Sequence, residues 1–255
     1  MSEKPAGGAK APSVLWKAFD VLGAFSHRRR VLTLADISRS SGLPKSTVHR
    51  VLAMLTEVGA VEQVEGGYRI GLRMFSIGAL PPEAALREAA LPHLEELHRV
   101  TGQTLHLAIL RAAHVVYLEK LLPRRVSVDM PSVIGDRLPA TCTGVGKALL
   151  AFSPGDVASA ALAGPLERRT ARSLGSLAEV RRELDVIRDR GYAFDREEAT
   201  AGVACVAVPV LAAPGRTVAA ISVAYPATAG SGQALVTPFR ATAAAISRSP
   251  ALRNA

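Results

Sequence analysis

The N-terminal fold is decided by residues 33–59, which read TLADISRSSGLPKSTVHRVLAMLTEVG. Thr33 is a suitable N-cap for a short helix, and Gly42 ends that helix because glycine readily adopts the left-handed conformation found there. After a two-residue link, apolar residues recur at helical spacing from Lys45 to about Val58. Two short helices joined by a tight glycine turn are the pattern of a helix-turn-helix.

The second of these helices separates into an apolar face and a polar one. Its inward face carries four aliphatic residues, Val48, Val51, Leu52 and Leu55. A helix that enters the major groove contacts bases and phosphates with the polar residues of its first turns, which here are Lys45, Ser46, Thr47, His49 and Arg50. Arg50 can form a bidentate contact with guanine, and the hydroxyls of Ser46 and Thr47 can donate to phosphate. Each residue alone fits an ordinary exposed helix surface equally well, and only the shared register favours DNA binding.

A hairpin is predicted directly after this helix. Residues 61–70 read VEQVEGGYRI, two alternating runs around Gly66-Gly67, and this pair strongly favours a two-residue turn. The unit is therefore a winged helix-turn-helix. Tyr68 and Arg69 can reach the DNA backbone or the minor groove, but two glutamates weaken the positive field of the hairpin, so we expect an accessory contact. The candidate DNA-contacting residues are Thr33, Lys45, Ser46, Thr47, His49, Arg50 and Arg69.

The composition is that of a globular protein with two domains. Of 255 residues, 49% are hydrophobic and 21% are charged, which excludes wholesale disorder and a coiled-coil rod. The net charge is +9, and residues 1–80 hold 11 basic against 6 acidic side chains, so the basic excess is denser at the N-terminal end. Two adjacent prolines, Pro81-Pro82, mark the boundary because they cannot continue a helix.

Four parts are predicted along the chain. A disordered tail covers residues 1–12, a winged helix-turn-helix with a linker helix covers 13–80, the second domain covers 81–248, and a C-terminal tail covers 249–255. In the first helix, an apolar stripe at helical spacing comprises Val14, Leu15, Phe19, Leu22 and Phe25. The linker helix carries Leu72, Phe75, Ile77 and Leu80, which are expected either to form dimer contacts or to pack against their own domain.

The chain shows no membrane, metal or secretion signal. No run of 18 uncharged apolar residues occurs and the N-terminus lacks a signal-peptide core, so we expect a cytoplasmic protein that does not span a membrane. Cys142 and Cys205 are the only cysteines, too few for a disulfide framework or a structural zinc site. His93 and His98 are five residues apart, whereas a shared metal-binding face on a helix needs four. We expect neither a metal nor a cofactor.

The second domain combines hairpins with separate helices. Hairpins are predicted at 104–120 and 203–224, a long helix at 82–100, and amphipathic helices at 144–152 and 177–190. This mixture predicts an α+β domain whose largely antiparallel sheet is covered by helices on one face. The glycine-rich segment before the middle helix offers backbone N–H groups to an anion.

Seven motifs follow one another at characteristic separations over about residues 13–248. They are LTLADI at 32–37, GLPKSTVHRVL at 42–52, GYRIG at 67–71, ALPHLEEL at 90–97, GVGKALLA at 144–151, GYAFDREE at 191–198 and GVACVAVPV at 202–210. In this order the sequence resembles the IclR family of bacterial transcriptional regulators. The resemblance implies a ligand-responsive, DNA-binding regulator with a GAF-like C-terminal domain that binds a small-molecule effector, expected to be a carboxylate.

The resemblance also implies specific residues and partners. The family's effector cleft corresponds here to Thr143, Gly144, Val145, Asp195, Cys205 and Ser222. Many relatives have histidine where this chain has Thr141 and a second serine where it has Ala224, so fewer polar contacts to the effector are expected. A homodimer or a dimer of dimers is expected on a pseudo-palindromic DNA operator. Repression and activation are both left open.

Two other functions are left open by the residues themselves. One is a cysteine-dependent enzyme with Cys142 or Cys205 as nucleophile and His106 or His114 as base, although no P-loop, dinucleotide or nucleophile-elbow fingerprint is present. The other is a small-molecule-binding module with a non-functional DNA-binding domain. Because the glycine turn and Arg50 are both present, we expect a regulator without a catalytic residue.

Overall fold

The chain divides into two compact units, one ending at Pro81 and the other beginning at Pro82. The computed structural model describes residues 13–26, 29–123, 132–212 and 215–252. The N-terminal tail predicted at 1–12 lies outside these residues. Within them, no helix combines the length and the apolar character needed to cross a membrane.

The N-terminal unit is a helical core with one hairpin. Its elements are α1 (Val14–Leu22), α2 (Leu34–Ser41), α3 (Lys45–Glu57), β1 (Val61–Val64), β2 (Gly67–Ile70) and α4 (Leu72–Gly78). The predicted helix-turn-helix is confirmed, since α2 ends at Gly42 with φ +71° and α3 begins at Lys45. The wing is confirmed as the antiparallel pair of β1 and β2.

The wing is tied to the chain before α2. Leu32 and Tyr68 exchange two backbone hydrogen bonds of 2.9 Å each, so the second strand of the wing pairs with the segment that leads into α2. A Cβ atom on Gly67 would lie 2.2 Å from the carbonyl oxygen of Leu32, and its φ is +147°. The second glycine of the turn is therefore required by this close approach as well as by the turn itself.

The apolar face of α3 is buried as predicted, whereas of the stripe predicted for the first helix only Leu22 and Phe25 pack against the core. Val48, Val51 and Leu52 lie in the core of the unit, together with residues of α1 and α2. In α1 the buried residue is Val21, whereas Val14, Leu15 and Phe19 of the predicted stripe are exposed. The helix is apolar on more than one side, so periodicity alone did not identify the inward face.

The C-terminal unit is built around one antiparallel sheet. Its elements are α5 (Pro82–Thr101), β3 (Thr104–Arg111), β4 (His114–Leu121), β5 (Arg137–Pro139), α6 (Gly144–Phe152), α7 (Gly155–Ala161), α8 (Leu177–Arg190), β6 (Ala193–Arg196), β7 (Val203–Ala212), β8 (Arg216–Pro226) and α9 (Val236–Ser247). The strand order is β5-β4-β3-β8-β7-β6, and every neighbouring pair is antiparallel.

Helices cover both faces of this sheet, so the prediction of a single covered face is wrong. One core lies between the sheet and α5 and α9, where Leu94 and Phe239 are buried. A second core lies between the other face and α6 and α8, where Leu149 and Leu184 are buried. We call these the α5/α9 face and the α6 face. Strands covered on both sides read as continuous apolar runs, which is how β7 reads.

Two further segments are more buried than predicted. The helix α6 is not amphipathic, because all residues from Gly144 to Ala151 are buried between the sheet and α8. The segment expected to be a C-terminal tail includes a short 3-10 turn, Pro250–Leu252, and Leu252 belongs to the core next to α5.

Candidate functional site

The helix α3 presents a polar surface above its buried face. Lys45, Ser46, His49 and Arg50 are exposed, and Thr47 is half-buried. Among the described residues, neither Lys45 nor Arg50 forms an ion pair with a carboxylate. Two exposed cations in the first two turns of a helix can bind phosphate oxygens and the major-groove edge of guanine.

Thr33 has a structural role at the start of α2. Its hydroxyl oxygen accepts from the backbone N–H of Asp36 at 3.2 Å, and its O–H donates to the carboxylate of Asp36 at 2.7 Å. The carboxylate also accepts from the backbone N–H of Thr33, which completes a capping box. Hydrogen bonding by Thr33, followed by Arg39, lowers the pKa of Asp36 below its usual value.

Arg69 is the one cation of the wing, and its charge is compensated. Its guanidinium lies 2.7 Å from Glu62 Oε2 on the neighbouring strand, and the other carboxylate oxygen of Glu62 accepts from the backbone N–H of Leu72. The hydrogen bond from Arg69 lowers the pKa of Glu62. This pairing agrees with an accessory place for the wing in any DNA contact.

A second candidate site is a cavity on the α6 face of the sheet. All six residues expected from the resemblance line it, namely Thr143, Gly144, Val145, Asp195, Cys205 and Ser222. The cavity has a volume of about 10 Å³, which is about the space of one water molecule. We call it the α6-face pocket.

Strand register explains how residues distant in sequence meet there. Asp195 on β6 pairs with Cys205 on β7, and Ser222 on β8 pairs with His106 on β3. All four side chains point to the α6 face because they occupy alternating positions of their strands. Alanines at 108, 207, 220 and 224 occupy most of the neighbouring positions on this face, which leaves space for the pocket.

The start of α6 closes the pocket on the helix side. Thr143 is the N-cap, and its hydroxyl oxygen accepts from the N–H of Gly146 at 3.1 Å. A Cβ atom on Gly144 would lie 3.3 Å from the Cβ of Ala207, so the helix lies close against β7. The helix N-terminus therefore faces the pocket with a positive partial charge.

Asp195 is a buried carboxyl group whose pKa is raised to about 7. Burial is the main cause, and the neighbouring carboxylate of Glu198 adds to it. Its Oδ1 accepts from the backbone N–H of Glu198 at 2.7 Å, a bond that fixes the turn after β6. The pocket therefore contains a carboxyl group that changes protonation near neutral pH.

The turn after β6 is anchored by a buried ion pair beneath the pocket. Lys147 of α6 is 1% exposed, and its Nζ lies 2.5 and 2.7 Å from the two carboxylate oxygens of Glu198. The carbonyl oxygen of Glu198 accepts from the hydroxyl of Ser173 at 2.7 Å. This pair links the helix that lines the pocket to the turn that carries Ala199 and Thr200 into it.

Sequence reasoning missed part of the lining, above all His106, Tyr117 and Ser132. The Nε2 of His106 lies 3.0 Å from the hydroxyl of Ser132, and its ring packs against Tyr117 with centroids 5.0 Å apart. Burial lowers the pKa of His106 to about 3, so the imidazole is neutral. The available signal is His106, a polar residue among the apolar residues of β3, but the sequence alone suggests for it only the role of a possible catalytic base.

The arrangement does not favour a cysteine nucleophile. Burial raises the pKa of Cys205 well above its usual value, so its thiol stays protonated. Cys142 donates to the carbonyl oxygen of Glu167 at 3.1 Å, and within the described residues neither thiol is hydrogen-bonded to His106 or His114. In the same part of the chain, no three His, Cys, Asp or Glu side chains form a cluster that could hold a metal ion.

Comparison with known proteins identifies both units. The model of the bacterial transcriptional regulator IclR C-terminal domain matches residues 82–248, and that of the IclR helix-turn-helix domain matches residues 14–65. The chain belongs to the IclR family. This IclR-type regulator therefore consists of an N-terminal helix-turn-helix and a C-terminal effector-binding domain, as the sequence predicted.

Named relatives cover most of the chain. The HTH-type transcriptional regulator XynR of Escherichia coli is 36% identical over 214 residues, 81% of this chain and 83% of XynR. The DNA-binding transcriptional repressor YiaJ of the same species is 33% identical over 259 residues, 96% of this chain and 89% of YiaJ. The crystal structure of an IclR homologue from Microbacterium hydrocarbonoxydans complexed with 4-hydroxybenzoate matches with a TM-score of 0.82 at 29% identity, covering 95% of this chain and all of that one.

Proposed function

We propose that α3 is the recognition helix of this IclR-type regulator and that it reads a pseudo-palindromic operator. Lys45, Ser46, Thr47, His49 and Arg50 contact the DNA, with Arg50 on a guanine. The observation that carries this proposal is the cationic surface of α3 above a buried face: within the described part of the chain, Lys45 and Arg50 have no carboxylate partner. Arg69 adds a backbone contact, and Thr33 acts through the capping of α2.

The operator-binding form is a homodimer or a dimer of dimers. Two recognition helices read half-sites about 34–36 Å apart, or multiples of that spacing, only if the two chains associate. The exposed apolar residues of α1 and α4 support an interface there, since Phe19, Leu72 and Phe75 are each about 70% exposed. Repression, the action named for YiaJ, is the mode we propose for this protein, and we place it in the cytoplasm.

The effector is a small carboxylate that binds in the α6-face pocket. The N-terminus of α6, with Gly144 and Val145, offers backbone N–H groups to an anionic end. Neutral His106 and Ser222 line the pocket without adding charge. The complex of the Microbacterium homologue with 4-hydroxybenzoate supports this ligand class. Occupation of the pocket changes the spacing of the two winged units, which couples the effector to DNA binding.

Arg50→Ala tests the recognition helix. We expect the free energy of binding to an operator selected from random duplexes to weaken by about 1–3 kcal/mol, because one bidentate base contact is lost. Gel shift at fixed salt measures it. Arg99→Ala is the matched control, since Arg99 is exposed on α5 and pairs with Glu96 of the same helix. Equal operator affinity of Arg50→Ala and the parent protein would remove Arg50 from base readout.

The pocket is tested by a thermal-shift screen of carboxylates and aromatic acids. A ligand that binds only the folded protein raises the melting temperature. Cys205→Val narrows the pocket and should reduce this rise while leaving operator affinity without effector unchanged, because Cys205 lies in the C-terminal unit and α3 in the N-terminal one. A rise in Cys205→Val equal to that of the parent protein places the ligand elsewhere.

A further inference from the structure

A cavity larger than the α6-face pocket lies at the opposite face of the sheet. It has a volume of about 380 Å³, within the range of roughly 300–1,000 Å³ found for small-molecule sites. Phe194 and Arg196 of β6 line it, whereas Asp195 between them lines the α6-face pocket. We call it the β6-edge cavity. None of its lining residues is shared with the α6-face pocket.

The floor of the β6-edge cavity is apolar. It is formed by Phe194, Ala204 and Tyr225, which belong to the core on the α5/α9 face and keep only a small exposed fraction. The Tyr225 hydroxyl donates to the carbonyl oxygen of Ser231 at 3.0 Å. A Cβ atom on Gly232, whose φ is +66°, would lie 2.2 Å from that hydroxyl, so the glycine is required for this position of the ring.

The rim of the cavity is cationic. The guanidinium of Arg196 lies 4.8 Å from the centroid of the Phe194 ring, and among the described residues it has no carboxylate partner. Arg172, the other cation of the rim, lies 3.2 Å from a carboxylate oxygen of Glu197. The rim thus holds two guanidinium groups against one carboxylate, which leaves Arg196 to meet an anion.

We propose that the β6-edge cavity is a second small-molecule site and that it takes an aromatic monocarboxylate. The ring of the ligand packs on Tyr225 and at the edge of Phe194, whose face is covered by Arg196. Offset or edge-to-face contacts between aromatic rings are favourable. Its carboxylate receives charge-assisted hydrogen bonds from Arg196. The carboxylate of Glu197 on the same rim disfavours ligands with a second negative group, such as dicarboxylates and phosphates.

The test is calorimetric titration of the full chain with benzoate. Arg196→Gln should weaken benzoate binding roughly 10- to 100-fold, since a hydrogen bond between charged groups is lost. Arg181→Gln is the control, because Arg181 is exposed on α8 and lies outside the cavity. Both changed residues are exposed, so circular dichroism and melting of the variants should match the parent.

A second variant changes the floor of the β6-edge cavity and leaves the charge of its rim unchanged. Ala204→Leu places a larger side chain in the cavity. It should also weaken benzoate binding by about tenfold or more, because it removes space for the ring. Acetate, which has the carboxylate but no ring, should bind far more weakly than benzoate. The proposal is overturned if benzoate at concentrations on the order of 1 mM does not bind, or if Arg196→Gln binds it like the parent. It is equally overturned if Arg196→Gln alone weakens binding and Ala204→Leu does not, since that result indicates surface attraction without a cavity.

Discussion

Two buried side chains of the α6-face pocket have pKa values shifted in opposite directions. Asp195 has a pKa of about 7, whereas an unfolded aspartate titrates near 3.8, so between these values only the folded protein holds the proton. Stability conferred by this group is therefore lost as pH rises, by up to about 1.4 kcal/mol per pH unit. His106 has a pKa of about 3 in the folded protein and near 6.5 when unfolded. The stability contributed by His106 is therefore lost as pH falls below about 6.5. Between about pH 4 and 6.5 the effects of His106 and Asp195 on the unfolding free energy change with pH in opposite directions.

When either residue is replaced, the pH dependence of the unfolding free energy caused by the other should become measurable. We expect the unfolding free energy of Asp195→Asn to rise between about pH 4 and 6.5 relative to the parent, because only the histidine effect remains. For His106→Gln we expect the reverse, a fall relative to the parent over the same range. Urea unfolding at several pH values measures both. The two variants serve as controls for each other, since all other titrating groups, including Lys147 and Glu198 beside Asp195, are common to them. Parallel slopes in the two variants would contradict the assigned shifts.

At the scale of elements, the helix-turn-helix depends on the capping of α2. Thr33→Ala removes the hydroxyl that accepts from Asp36 and should lower the unfolding free energy of the N-terminal unit by about 1 kcal/mol. Ser40→Ala, an exposed serine of the same helix, should change it by less than about 0.5 kcal/mol. Chemical denaturation followed by circular dichroism compares them. If Thr33→Ala is as stable as the parent but loses operator affinity, the residue is a DNA contact and not a cap.

The elements that the sequence predicted well are those with a polar side. The apolar residues of α3 predict a helix because they recur at helical spacing. The glycines at 42 and 66–67 predict a helix end and a hairpin turn because glycine readily adopts a positive φ. The burial of α6 was not predictable in this way, since the only charged residue within it, Lys147, is neutralised by Glu198 from a distant turn. Likewise β7 is apolar on both sides, so its pattern did not reveal that helices cover each face.

The residues of the α6-face pocket that the sequence predicted lie mostly in or next to motifs of the family. The six expected residues meet in the α6-face pocket: Gly144, Val145, Asp195 and Cys205 lie within motifs of the family, Thr143 directly precedes one, and Ser222 lies on the strand that follows the last. His106, Tyr117 and Ser132 come from β3, β4 and a loop without such a motif, and only the pairing of β3 with β8 brings His106 next to Ser222. Contacts made across strands far apart in sequence cannot be deduced from local spacing.

At the scale of the whole molecule, the exposed apolar residues of α4 are the surface on which we propose that two chains associate. Phe75 is 74% exposed and Leu72 is 72% exposed, which is unusual for large apolar side chains that form a cluster. Phe75→Asp should therefore shift the protein to smaller assemblies in sedimentation velocity and weaken operator binding at least tenfold. Val186→Asp on α8, where Val186 is 48% exposed, is the control and should leave both unchanged. An unaltered sedimentation coefficient for Phe75→Asp would remove α4 from the interface.

The small volume of the α6-face pocket has a kinetic consequence. A cavity of about 10 Å³ admits the proposed effector only when α6 or the turn after β6 moves outward. Ligand uptake is then gated by this motion: at high ligand concentration the observed rate reaches a plateau set by opening and not by diffusion. The apparent affinity is also reduced by the fraction of time that the entrance stands open. A higher ligand concentration is therefore needed to fill the pocket than the contacts of the bound ligand alone would require.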